Sequence, residues 1–379
     1  MNRQLYLDID IVQTVPPSNI NRDDNGTPKH ATYGGVRRAR VSSQAWKRAT
    51  RTAFALTVDP SQLGTRTKRL TPLLTTSLTQ RANLDEEAAN RLATAIRDAL
   101  NLKQGKNADQ TEYLLFFGRQ QLDAIADLLA DRAQELAQMD KDALGKELKS
   151  LPMLDKLTAG HPLDVGLFGR MVANNGLLNV DAAVQVAHAL STHAVDIEFD
   201  YYTAVDDEQP ESESGAGMIG TVEFNSATLY RYATVGIHLL QENLQAEDAV
   251  LQACEAFLDC FTRSMPTGHA NTFAHRTLPH LVIATLREDQ PVNLVSAFER
   301  PVTGGNSGLA EESMRRLAAE HAKITTTWGS EPRAVFATYH ADAASDEALA
   351  GLPNPTPFPQ LVEQVREAVA TWLAEGERR

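Results

Sequence analysis

Cysteine is nearly missing: two residues, Cys254 and Cys260, stand in 379. Both fall in a helical pattern, so no disulfide framework is available and a reducing, cytoplasmic compartment is expected. Long apolar runs are missing too. None approaches the length that crosses a bilayer, which excludes a membrane-spanning helix as the organising element. The opening MNRQLYLDID alternates apolar and polar or charged residues without an apolar core, so no secretory signal is expected. Positive charge is in deficit, with 36 Lys and Arg against 49 Asp and Glu and a formal charge of −13. That balance argues against indiscriminate adhesion to nucleic acid over the whole surface. It leaves room for a local groove, because charges are screened within about 8 Å at physiological salt. Hydrophobic residues make up 42% of the chain, enough for a sizeable core. The length predicts two lobes, or one domain with large insertions.

The next deficit is local. The nineteen residues Tyr33–Arg51, YGGVRRARVSSQAWKRATR, contain no carboxylate, yet they hold six cations: Arg37, Arg38, Arg40, Lys47, Arg48 and Arg51. An even spread would place roughly two there. From Ser43 to Val58 the spacing predicts a helix with Trp46, Ala49, Ala53 and Leu56 facing inward. Lys47 and Arg51 then share another face at i, i+4. One reading is a solvated helix face. The other is a phosphate-binding surface, favoured by the missing Glu and Asp that would lace a solvated helix, by YGG just before it, and by the hydroxyls and amide of VSSQ. Such groups and the N–H groups of a helix start suit phosphate oxygens, and arginine forks onto phosphate where lysine is a point charge.

Along the chain, RQLYLDIDIV reads as a period-two strand, with Leu5, Leu7, Ile9 and Ile11 on one face and Tyr6, Asp8 and Asp10 on the other. A polar, turn-rich loop follows it. Residues 60–160 read as helices without an intervening strand. After them DVGLFGRMV reads as a strand, DAAVQVAHALSTH as a helix, and AVDIEFDYYTAV with IGTVEFNSATLYRYATVGIHL as a long hairpin around the acidic DDEQPESESGAGM. Helices over about 247–263, 309–322 and from Gln360, and strands at HLVIATL and RAVFATYH, complete an α+β pattern of the ferredoxin-like or RNA-recognition-motif-like kind. The expected division is a first palm segment over 1–59, a helical insertion over 60–160, and the rest of the palm over 161–379, with the hairpin at about 196–224.

Enzyme signatures are as scarce as cysteine. Asp23 and Asp24, with His30 nearby, could hold Mg²⁺ as a pair, which a ribonuclease would use. A capped polar turn before Gly26 is the plainer reading. His188 and His193 are five apart and do not share a helical face, so a core histidine and a helix-end histidine are expected. His269, His275 and His280 lack a cysteine or carboxylate at ligand spacing, so no zinc site is expected. GGNSG at 304–308 lacks P-loop spacing, and no nucleophile elbow is present. Tyr201 and Tyr202 point to opposite faces of their strand, one expected inward and the other free to stack on a base.

In order, INRDDNG, YGGVRRARVSSQAWKRATR, FGRMVAN, DAAVQVAHALSTHAVDIEFDYYTAVDD and GTVEFNSATLYRYA resemble the CasC family. These are the backbone subunits of the type I-E CRISPR Cascade complex, within the RAMP superfamily. The resemblance is close over the first sixty residues and about 160–265, and looser over the helical insertion. It implies an RNA-recognition-motif-like palm, helical fingers and a thumb β-hairpin. It also implies a non-catalytic protein without metal or cofactor, whose copies form a filament along a CRISPR guide RNA. Target DNA would be reached by way of the guide, and large, small and guide-end Cascade subunits would be partners, away from any membrane. Carried over by position, the guide-binding residues are Arg22, Lys29, Ser42, Gln44, Lys47 and Arg51, joined by Arg37, Arg40 and Arg48 of the same stretch. Arg170 and Met171 of GRM follow, Met171 as an apolar wedge beside a displaced base. Tyr201, Tyr202, Thr203 and Val205 are the thumb segment. The alternative is a metal-dependent RAMP-type endoribonuclease using Asp23 and Asp24.

Overall fold

The computed structural model of the chain describes residues 3–107, 109–173, 175–204, 218–305, 307–340 and 347–377. It falls into two compact units. Unit 1 comprises residues 1–53, 185–234 and 257–379, and unit 2 comprises 54–184 and 235–256. Unit 2 thus holds all of 60–160 and adds residues on both sides, together with a second segment.

Unit 1 is built on an antiparallel sheet. Its strands are β1 (Tyr6–Ser18), β2 (His30–Tyr33), β3 (Val36–Val41), β7 (Ala189–Ser191), β8 (Glu198–Ala204), β9 (Met218–Gly236), β10 (Leu281–Arg287) and β11 (Ala334–Tyr339). They lie in the order β11-β10-β1-β9-β7-β3-β2, with β8 paired to β9 off that path. Between His30 and Tyr339 the chain also forms α1 (Ser43–Phe54), α10 (Glu247–Arg263), α11 (Ala270–Phe273) and α12 (Gly308–Trp328), and α13 (Phe358–Glu377) closes it. Val12, Tyr230, Leu281, Ile283, Phe298, Leu317 and Ala337 form one core of this unit. β2 and β3 meet through Gly34 and Gly35, both at positive φ. Only glycine suits the first of these, since a Cβ there would lie 1.7 Å from the Glu299 carbonyl oxygen.

Strand β1 departs from the expected half-buried pattern. Leu5, Leu7, Ile9 and Ile11 are buried, but so are Asp8 and Asp10 on the opposite face. The Tyr232 hydroxyl donates to Asp8 Oδ1 at 2.9 Å, the Val292 N–H donates to Oδ2 at 2.9 Å, and Arg287 Nε lies 3.4 Å from Oδ2. Burial pushes Asp8 up to about 6 despite these partners, and pushes Asp10 well above the usual carboxylate range. The Tyr230 hydroxyl sits 2.6 Å from Asp10 Oδ1 and 3.0 Å from Asn293 Oδ1, and accepts from the Leu294 N–H at 3.0 Å. One hydroxyl proton cannot serve two acceptors. The network closes when Asp10 is a carboxylic acid that donates to Tyr230, which donates to Asn293.

Unit 2 contains the paired strands β4 (Gly64–Thr67) and β5 (Leu115–Gly118), which interrupt the insertion expected to be purely helical. Around them pack α2 (Leu70–Arg81), α3 (Glu86–Ala99), α4 (Arg119–Leu129), α5 (Ala133–Gln138), α6 (Lys141–Ser150) and α7 (Met153–Thr158) over one leucine-rich core. Asp85 caps α3 by accepting from the Ala88 N–H. Expectation and structure part again further on. The segment DVGLFGRMV forms α8 (Leu163–Phe168), not a strand, and the chain turns at Gly169, φ +72°, where a Cβ would meet the Val180 carbonyl at 2.7 Å. DAAVQVAHALSTH forms the short strands β6 (Val184–Val186) and β7 instead of a helix. In β7 its main chain is claimed by β3 and β9, so pairing overrides a helical spacing of alanines. The helix α9 (Ile237–Leu244) and α10 as far as Ala256 also belong to this unit.

Candidate nucleic-acid interface

The basic stretch lies wholly in unit 1 and is mounted on the β2–β3 hairpin and α1. Alternation along β3 divides its arginines. Arg37 points out and is exposed, while Arg38 points in and is 0% exposed. The Arg38 guanidinium donates to the carbonyls of Tyr33, Ser191, Phe298 and Glu299, at 2.8 to 3.2 Å. One of the six clustered cations is therefore a core pin. Arg40, half-buried, donates to the His30 carbonyl at 3.2 Å and faces His188 Nδ1 at 3.1 Å. Arg40 and Lys29 line one shallow pocket whose other walls include Val41, Asn225 and Leu229. Burial, then Arg40 and Lys29, lower the pKa of His188, so this ring stays neutral beside the two cations. His188 is exposed in the β6–β7 connection, not in a core. His193 is half-buried, and its Nε2 accepts from the Thr228 N–H at 3.0 Å.

Residues 19–29 form a compact loop beside this pocket. Asn19 Nδ2 donates to the Gly26 carbonyl at 2.8 Å, and Asn21 Oδ1 accepts from the Ser42 N–H at 2.8 Å, fixing the entry to α1. Asp23 Oδ1 accepts from the Asn25 and Thr27 N–H groups at 2.9 and 3.1 Å, the geometry of a side-chain-closed turn. Asp24 and His30 are exposed. Among the described residues no group of three His, Cys, Asp or Glu is placed to hold a metal ion. Arg22 is exposed, and its Nη1 donates to His269 Nε2 at 2.6 Å.

Helix α1 is held by Trp46, fully buried beneath the Arg231 guanidinium at 3.7 Å and edge-on to Phe261. Arg231 is itself fixed by Gln13 Oε1 at 2.6 Å and by the Phe261 carbonyl, and burial lowers its pKa to about 9. With Trp46 locked, Gln44 and Arg48 are exposed while Lys47 and Arg51 are half-buried. Burial lowers the Lys47 pKa from its ordinary value. The helix ends at Phe54, which is buried, and Leu56 beyond it is 88% exposed, so the expected extension to Val58 with Leu56 inward is corrected. Ser42 is buried, and its hydroxyl accepts from the Ala45 N–H at 3.4 Å. It offers a capped helix start, not a free hydroxyl.

The hairpin β8–β9 pairs Tyr201 with Thr221, Tyr202 with Gly220 and Thr203 with Ile219. The tyrosines take opposite faces, but neither packs inward: Tyr201 is 63% and Tyr202 43% exposed. The Tyr202 ring covers Gly220, where a Cβ would lie 2.4 Å from it. Phe199, Met218 and Ile219 are exposed on the same hairpin. Thr203 is exposed as well, and Val205 and the acidic segment 206–214 lie outside the described residues.

In unit 2, Met171 is 81% exposed. The preceding Arg170 is a correction to the list of guide-binding residues. It is buried, and its guanidinium donates to the carbonyls of Leu178 at 2.6 Å and Leu157 at 2.9 Å. Burial lowers its pKa to about 10. It braces the turn that exposes Met171 and cannot itself reach a ligand.

Among the described residues, Arg22, Arg37, Arg40, Lys47 and Arg48 of unit 1 pair with no carboxylate, and Lys29 and Arg40 share one pocket. Exposed or half-buried cations of this kind are of the type that suits phosphate oxygens. Residues 7–364 match the family described as CT1975-like protein. A chain of a solved structure described as "CRISPR RNA-guided surveillance complex, pre-nicking" is 31% identical, with a TM-score of 0.79 over 96% of this chain and 100% of that one. A chain of another CRISPR RNA-guided surveillance complex is 27% identical, with a TM-score of 0.71 over 96% of this chain and 99% of that one. No curated protein matches. The chain belongs to the CT1975-like family, in agreement with the Cascade-backbone resemblance of the segments quoted above.

Proposed function

We propose that this member of the CT1975-like family is a non-catalytic backbone subunit of a type I-E Cascade. Copies of it would oligomerise along a CRISPR guide RNA beside the large, small and guide-end subunits. Unit 1 serves as the palm, elaborated from an RNA-recognition-motif-like sheet, unit 2 as the fingers and β8–β9 as the thumb. The observation that carries this reading is the mount of the basic stretch. Trp46, Arg231 and Asn21 hold α1 so that Gln44, Lys47, Arg48 and Arg51 lie along it, with Arg37 and Arg40 on the adjoining strand. Cations and an amide set along one helix and its adjoining strand suit a run of phosphates, and on this reading the grip is on the guide backbone while the bases stay free to pair with target DNA. Asp23 is already closed into a turn by two N–H groups, which favours a structural role over a metal-binding one.

The test is a titration of single-stranded guide RNA against the wild type and the Lys47→Ala and Arg51→Ala variants. Each variant should lose affinity equally for unrelated guide sequences, and each phosphate contact removed should flatten the log–log salt slope by about 0.7. A loss that depends on guide sequence sinks the backbone grip. The same labelled RNA, incubated with Mg²⁺, should remain intact. Cutting that disappears in Asp24→Ala would instead establish the endoribonuclease.

A further inference from the structure

Arg22 projects from the loop before β2, and its nearest partner is a residue that the sequence offered only as a poor zinc ligand. Arginine is always protonated, so the short contact from Arg22 Nη1 to His269 Nε2, at 2.6 Å, requires the ring nitrogen to be the acceptor. The imidazole is therefore neutral, with its proton on Nδ1. The choice of partner matters. A carboxylate in this place would cancel the charge of Arg22 and repel phosphate, whereas a neutral imidazole occupies one of five N–H groups and leaves the positive charge whole.

His269 is held there at a conformational cost. It is left-handed, φ +49° and ψ 28°, and Ala274 at the far end of α11 is left-handed as well, φ +45°. Two non-glycine residues of this kind around a single helical turn persist only where the surroundings impose them. Those surroundings are present. The Thr272 and Phe273 N–H groups both donate to the His269 carbonyl at 3.1 Å, and buried His275 pairs through Nε2 with the Pro266 carbonyl at 2.9 Å. Gly268 presses so closely on the loop of Arg22 that a Cβ would lie 2.6 Å from the Ile20 carbonyl and 2.8 Å from that of Asn19. The Phe273 ring packs against His269 at 6.2 Å and Phe224 at 5.8 Å, and Phe224 belongs to β9, opposite Glu198 at the root of the hairpin. Asn19 Nδ2 ties the same places together by donating to the Gly26 carbonyl at 2.8 Å and the Glu223 carbonyl at 2.9 Å.

We propose that the loop 267–276 is part of the RNA-binding surface and that His269 is a positioning residue, aiming the Arg22 guanidinium at a phosphate of the guide. The proposal rests on the guide-carrier function proposed above. It adds a residue, a loop and a route: Phe224, Phe273, His269 and Arg22 link the root of the hairpin to the cationic loop in one packed series within unit 1.

The experiment is a double-mutant cycle on the full chain, read as affinity for a synthetic single-stranded guide RNA. Arg22→Ala should weaken binding about ten-fold or more, the size of one charge-assisted contact. His269→Ala should lose most of the same factor, and the double variant should bind no more weakly than Arg22→Ala alone. His269→Gln, whose amide can still accept from Arg22, should recover affinity. His269→Asn suits the left-handed backbone but cannot reach as far, so it keeps the loop folded and should bind like the alanine variant. Losses that multiply in the double variant, or His269→Ala and His269→Asn binding like wild type, overturn the positioning role. Lys47→Ala and Arg51→Ala, run alongside, separate the two ideas. If they too bind like wild type, the guide reading itself fails. If they weaken binding while the His269 variants do not, only this inference does.

Discussion

At the scale of the residue, neighbours in sequence have opposite duties. Arg37 and Arg38 are adjacent, yet one is exposed and the other buried against four carbonyls. Arg38→Ala strips charged donors from buried acceptors and should destabilise the chain by at least about 3 kcal/mol. Arg37→Ala should shift stability by less than about 0.5 kcal/mol while weakening RNA binding. Urea denaturation and RNA titration on both variants check the pair. A stable Arg38→Ala would refute the core assignment. The density of cations was legible from composition, but the face each one takes was not, because it depends on the β3 pleat and on carbonyls contributed by residues 191, 298 and 299. Asp10 teaches the same limit. Period two placed it correctly opposite Ile9 and Ile11, and only the packing of Tyr230 and Asn293 shows that its face is buried too. Because burial raises the folded pKa of Asp10, its favourable contribution is complete below the unfolded value of about 3.9 and is lost as pH rises toward the folded one. Asp10→Asn cannot titrate and keeps a donor for Tyr230. Its stability relative to wild type should therefore increase from about pH 4 upward, by up to about 1.4 kcal/mol per pH unit. Urea denaturation at several pH values measures it, and a pH-independent difference would show that Asp10 is ionised.

At the scale of the element, the hairpin β8–β9 sets exposed apolar side chains on both faces: Phe199, Tyr201 and Ile219 on one, Tyr202 and Met218 on the other. A two-stranded ribbon in water has no reason to carry them unless another surface covers them. On the proposed function that surface is a displaced base and the next subunit. The Tyr202 ring lies over Gly220, where no side chain competes for the space. Tyr202→Ala should leave the melting temperature of the isolated chain nearly unchanged, since the ring buries little. Chemical footprinting of the guide in the assembled complex is the informative measurement. Evenly spaced reactive bases should be seen with wild type and lost with Tyr202→Ala, and an unchanged pattern would mean that the hairpin does not wedge the guide. The existence of this hairpin was readable from two alternating runs around an acidic, glycine-containing tip. The misreading of residues 181–193 as a helix has the opposite cause. Val184, Val186, Leu190 and their alanines suit either state, and pairing with β3 and β9 decides between them.

At the scale of the whole molecule, the charge distribution is the organising fact. A chain of formal charge −13 sets Lys47, Arg48 and Arg51 on α1, Arg37 and Arg40 on β3, and Arg22 on the loop before β2. The sequence gathers five carboxylates, Asp206, Asp207, Glu208, Glu211 and Glu213, between the two strands of the hairpin. Such a segment is repelled by a phosphate chain, so in a complex with RNA it must face solvent or a cationic protein surface. If copies line up along one guide, the available cationic surface is that of the next copy, and the acidic segment then contributes to association between subunits and not to the grip of any one of them. Deleting residues 207–214 should accordingly leave the affinity of a single copy for a short RNA within about two-fold, because no phosphate contact is removed. On an RNA long enough for several copies, the same deletion should lower the cooperativity of binding and yield partly covered species in native electrophoresis, where wild type passes directly from free to fully covered RNA. Raising the salt should narrow the difference, since the attraction at stake is electrostatic and screened within about 8 Å. A deletion variant that coats long RNA as cooperatively as wild type would show that the acidic segment does not join neighbouring copies.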